Sequence, residues 1–131
     1  MIEPKVNTLQ HLHDKAARMQ AYLVETYDSQ DPNGLIQRLE YLQILIAESG
    51  QLLSEAKWYQ ERIVNDTIME SIKKAYEEKL SPSTINKYVN SAAKDYNYLV
   101  NVFDRINSTA SKQLDAIRSI LSYIKAQMQI Q

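Results

Sequence analysis

Lys57, Trp58, Tyr59 and Arg62 fall within two turns of one another near the middle of the chain. Aromatic faces stack planar rings, and a guanidinium group grips phosphate as a bidentate fork. If the chain doubles back near Pro82, paired residue numbers sum to about 163. Trp58 and Tyr59 then face Arg105 and Asp104, and Arg62 faces Asn101, with Tyr98 one turn along. The expected cluster is Lys57, Trp58, Tyr59, Arg62, Tyr98, Asn101 and Arg105. Such a set suits an anionic, nucleotide-like small molecule. The competing reading is ordinary packing, with Tyr59 in the core, Trp58 half-buried at its boundary and the arginines paired with nearby acids. Trp, Tyr and Arg also dominate protein-partner hot spots.

Nothing else in the chain reads as chemistry. The sequence has no Gly-rich phosphate loop, nucleophile elbow, His-Glu-x-x-His or EF-hand loop, so no enzyme and no cofactor are expected. His11 and His13 are the only histidines. Two residues apart on a helix they point about 200° away from each other and cannot share a metal. A di-metal carboxylate bundle needs paired Glu-x-x-His motifs, and none is present. Cysteine is absent, which excludes disulfides and thiolate metal sites.

The elements that position these residues are long helices. From Ile85 to Met128 apolar residues recur in steps of three and four, through Val89, Ala92, Tyr96, Leu99, Phe103, Ile106, Ala110, Leu114, Ile117, Leu121 and Ile124. Neither a strand nor a loop produces that rhythm. A second seam runs through Leu35, Leu39, Leu42, Ile46, Leu53, Ala56, Ile63, Ile68, Ile72 and Ala75. A shorter one comprises Leu9, Leu12, Ala16, Met19, Leu23 and Tyr27. Helices are therefore expected over about residues 8–27, 32–79 and 83–129, in a single domain spanning 1–131. Asn7 or Thr8 suits the cap of the first, and Asp31 with Pro32 the start of the second. Pro82 ends one long helix and suits the first turn of the next. Gly50, beside Ser49, is a weak point where the second helix could bend or let a neighbour approach. The two steps of four at Ile106, Ala110 and Leu114 form a stutter that straightens the third helix locally.

The fold expected is all-α: a short helix plus a long antiparallel helical hairpin. With only two glycines and three prolines in 131 residues, the turns an all-β or α/β fold needs are missing. Residues 31–80 carry six basic and nine acidic side chains, and residues 81–131 carry six basic and three acidic ones. Opposite net charge favours packing these two segments side by side. The overall pI near 6 argues against nucleic acid as partner. No apolar run approaches the roughly 18 residues of a spanning helix, and no signal peptide is visible, so a cytoplasmic protein without membrane contact is expected.

The short helix can cover only half of the hairpin. The half near Pro82 is left with apolar residues to hide, and Ile85, Tyr88, Val89, Ala92, Tyr96, Leu99 and Phe103 are its expected oligomer interface. A homodimer that completes a helical bundle is the economical solution. Tyr41, Tyr76, Tyr88 and Tyr123 fall near stripe edges, where a ring is buried and its hydroxyl wet.

The helix-turn-helix plan resembles the small WXG-type secreted hairpins. However, their Trp-x-Gly lies in the turn, where this chain has Ser81, Pro82 and Ser83, and Trp58 is mid-helix. In style the chain resembles small phage-encoded accessory proteins: short, Cys-free, helical and motif-poor. Two readings follow. The first is a non-enzymatic interaction protein that homo-oligomerises through its long helices and binds a partner. The second, which that phage resemblance implies, is an anti-defence protein of the host cytoplasm. It would sequester a nucleotide-like anion in an oligomer-interface pocket.

Overall fold

The computed structural model describes residues 9–130, and over them the chain is all-helical, with three helices and no strand. Helix α1 is Leu9–Leu23, α2 is Pro32–Glu78 and α3 is Pro82–Ile130. The expected caps Asn7 and Thr8 lie outside the described residues. At 47 and 49 residues, α2 and α3 are each about 70 Å long.

Helix α2 begins where Pro32 takes the first helical position after Asp31, which is extended at φ −102° and ψ 98°. The Asp31 side chain makes no capping hydrogen bond, contrary to expectation; its backbone carbonyl accepts from the Leu35 N–H at 3.0 Å instead. A Cβ at Gly34 would lie 2.6 Å from the Asp31 carboxylate, so a larger residue there requires that exposed side chain to rotate away. The helix continues through Gly50 without a break. It stops at Lys79, which adopts the left-handed conformation usually held by glycine, at φ 54° and ψ 47°. Ser81 then caps α3: its hydroxyl accepts from the Thr84 N–H at 3.2 Å and its carbonyl from the Ile85 N–H at 3.1 Å.

Contacts pair descending positions of α2 with ascending positions of α3: Lys74 with Tyr88, Tyr59 with Tyr96, Ile46 with Asn107 and Arg38 with Gln113. Tyr59 meets Tyr96 rather than Asp104, a displacement of about two turns from the expected register. Beside the turn Lys74 still faces Tyr88, as expected, so the displacement accumulates along the helices rather than at the reversal after Lys79.

The core gathers Leu12, Ala16 and Met19 of α1, Leu35, Leu42 and Leu52 of α2, and Leu99, Phe103, Ile106, Ala110 and Ile117 of α3. The stutter residue Ala110 is fully buried. A polar link crosses this core. The Asn107 amide donates to the Ile46 carbonyl at 2.9 Å and to the Ser49 hydroxyl at 3.1 Å. Gly50 sits beside it, with the space of a Cβ 3.7 Å from the Asn107 nitrogen.

Helix α1 ends four residues earlier than its stripe predicts, and side chains of the other two helices donate to its last carbonyls. The Arg38 guanidinium donates to the Tyr22 carbonyl at 3.2 Å, and the Gln113 amide to the Leu23 carbonyl at 2.7 Å. A cation at a helix C-terminus also complements the macrodipole. Arg38 is buried, with its guanidinium 4.5 Å from the Tyr22 ring centre and 4.6 Å from that of Tyr27. Its Nε makes no hydrogen bond. Tyr27, expected on the helical stripe, serves from the following loop.

Candidate binding surface

Helix α1 covers only part of the long pair. Lys15 lies 3.9 Å from Glu48, the Tyr22 ring packs on Tyr41, and His13 stacks on Tyr98 at 5.6 Å. Toward Pro82 the two long helices lack this third layer among the described residues. The buried residues there are small, Ser71 and Ala93, with Thr67 and Ala75 half-buried. On α2 the large apolar side chains from Ile68 to Tyr76 point outward: Ile68 is 36% exposed, Met69 62%, Ile72 55% and Tyr76 91%.

Several expectations are corrected here. Ile68 and Ile72 do not belong to the inward seam of α2, which passes instead through Ile63, Thr67, Ser71 and Ala75 in steps of four. Steps of four advance around a helix of 3.6 residues per turn, so the inward face rotates away from the heptad positions. On α3, Ala93 is buried and Ala92 exposed. Tyr76 keeps almost none of its ring buried. Leu99 and Phe103, expected at an oligomer interface, are fully buried within the chain itself. Tyr96 is half-buried against Tyr59, at 5.7 Å between ring centres. Burial pushes the Tyr96 phenol above its ordinary range, with the neighbouring Tyr59 adding to the effect. Of the expected interface, Ile85 and Val89 are half-buried, and Tyr88 and Ala92 exposed.

The expected ligand cluster divides into separate places. Trp58, Tyr59 and Arg62 stay together on α2: the Trp58 and Tyr59 rings meet edge-on at 5.1 Å, and the Arg62 guanidinium lies 5.1 Å from the Trp58 ring. Lys57 is exposed on the same stretch. Tyr98 turns to α1 and His13. Asn101 is exposed. Arg105 lines a groove of about 180 Å³ between α1 and α3, with Leu23, Val24 and Ile106. The two-turn shift in register accounts for the separation.

What remains around Trp58 is an open cleft with Glu61, Arg62, Asn65 and Asp66. Its walls carry two carboxylates and one guanidinium, and Arg62 lies 4.0 Å from Asp66. That balance repels phosphate more than it attracts it. Among the described residues no group of three or more His, Asp or Glu side chains could hold a metal, and no helix is long and apolar enough to cross a membrane.

Arg38 and Gln113, which hold the end of α1, carry no signal in periodicity, since a lone Arg on a helix reads as solvated. The exposed stripe of α2 was legible: Trp58, Arg62, Asn65, Met69, Ile72 and Tyr76 are spaced 4, 3, 4, 3 and 4. Compared with known protein families, with curated proteins and with solved structures, the chain matches none.

Proposed function

We propose that this protein is a non-enzymatic helical interaction protein, whose long helical hairpin self-associates and which acts by binding a partner macromolecule. One observation carries the reading. In the segment near Pro82 the small residues Ser71 and Ala93 lie inside, while Met69, Ile72 and Tyr76 face water. Contiguous apolar surface of this kind marks an interface, because covering it regains roughly 25 cal/mol per Å². Capture of a nucleotide-like anion draws less support, since the Trp58 cleft carries more negative than positive charge.

Association coupled to folding makes stability depend on concentration. The melting temperature should rise steadily as protein concentration is raised tenfold and a hundredfold. A melting temperature independent of concentration, with a single-chain mass throughout, would overturn the proposal.

A further inference from the structure

The outward stripe of α2 is a second coiled-coil seam, distinct from the one that faces α3. Its positions Trp58, Arg62, Asn65, Met69, Ile72 and Tyr76 alternate steps of four and three, the spacing of a heptad seam. Met69, Ile72 and Tyr76 span about 60° of the helix circumference. They lie about a third of the circumference away from the flank of Arg38, Tyr41 and Glu48, which meets α1. The chain's own short helix therefore does not cover them.

We infer that this stripe takes α2 of a second copy of the chain, in antiparallel orientation, with Met69 of each copy against Ile72 of the other. The inference rests on the self-association proposed above and names its face and direction. The flanking charges favour one direction. In an antiparallel pair centred between Met69 and Ile72, the flanking Asp66 of one copy comes opposite Lys73 of the other, and two-fold symmetry makes this attraction twice. A parallel pair instead brings Glu61 of one copy against Asp66 of the other, a like-charge contact also made twice. In the antiparallel register Tyr76 faces Asn65 of the second copy, so the polar seam residue meets a hydroxyl rather than a bare aliphatic chain. Asp66 and Lys73 are both exposed. The Arg62–Asp66 pair within the helix is solvent-exposed and weak, and it leaves the carboxylate accessible.

The test is sedimentation equilibrium of the full chain and four variants, with helix content followed by circular dichroism. Ile72→Glu should reduce the wild-type assembly to single chains with helix content kept, because Ile72 is largely exposed. Asp66→Lys and Lys73→Asp should each weaken association at least tenfold, and the double exchange Asp66→Lys with Lys73→Asp should restore it. These two residues are seven apart, out of reach within one helix, so restoration identifies a contact between copies. If the wild type assembles and Ile72→Glu does not change its mass, this face is wrong while self-association stands. If Ile72→Glu dissociates the assembly but the double exchange fails to restore it, the antiparallel register is overturned. If the wild type is a single chain throughout, the inference and the proposed self-association both fall.

Discussion

The guanidinium of Arg38 donates to the side-chain oxygen of Gln113 at 3.0 Å, and between them the two side chains take the carbonyls of Tyr22 and Leu23. One residue of α2 and one of α3 thus fasten the end of α1. A buried cation without a carboxylate is costly unless hydrogen bonds and ring faces replace its water. Here Tyr22 and Tyr27 supply the ring faces. Replacing Arg38 by Ala removes the charge-assisted bonds and the packing of the stem together. Arg38→Ala should cost about 2–3 kcal/mol in denaturant unfolding and raise amide exchange selectively in α1. A loss below about 0.5 kcal/mol would show the clasp to be incidental.

Gly50 tests the packing beside Asn107. A mid-helix glycine costs about 1 kcal/mol relative to alanine. A Cβ there would meet only the Asn107 nitrogen, at an ordinary contact distance of 3.7 Å. Gly50→Ala should therefore stabilise the fold by about that amount in the same unfolding assay. Destabilisation would mean that the helices need a closer approach at this point than their contacts indicate.

Phe103 and Ile72 separate the core from the interface. Phe103 is fully buried, and Phe103→Ala should cost about 3–5 kcal/mol at any protein concentration. Ile72 is 55% exposed, so Ile72→Ala should change the stability of the dilute protein little while flattening its concentration dependence. Equal losses at low concentration would place Ile72 in the core.

Alkaline pH tests the half-buried tyrosines Tyr22 and Tyr96. Burial raises the phenol of Tyr22, opposed by the Arg38 charge, and burial likewise raises that of Tyr96. A raised pKa in the fold means that the unfolded chain ionises first. The stability these neutral phenols contribute is complete below the ordinary pKa of 10 and is lost as pH climbs through their raised values. Tyrosinate absorbance should show a late-ionising class among the nine tyrosines, and denaturant midpoints should fall above pH 10. Substituting Phe at both positions should remove the late class. If the late class survives both substitutions, other tyrosines are responsible.

Much of this architecture was legible in the sequence, for identifiable reasons. Leu99, Phe103, Ile106, Ala110 and Ile117 are buried where their spacing places them, because α3 keeps a nearly heptad rhythm against its neighbours. The rule fails toward Pro82. There Ser71 and Ala93 do the inward packing, and hydrophobicity alone assigns that role to Ile68, Ile72 and Ala92. The register was legible only beside the turn, where Lys74 faces Tyr88; farther along it drifts to Tyr59 against Tyr96, which no seam signals. That drift separates the expected cluster, with Tyr98 at His13 and Arg105 at the end of α1 while Trp58 stays with Arg62. Arg38 was invisible because pattern reading assigns a lone Arg to water.

The most direct test of the account is a native mass spectrum of the untagged, freshly purified protein beside its denatured mass. An integral multiple of the 15.2 kDa chain with no added mass is expected. A bare single chain would contradict self-association. A multiple carrying a few hundred extra daltons per site would contradict the interaction-protein reading and identify a bound small molecule instead.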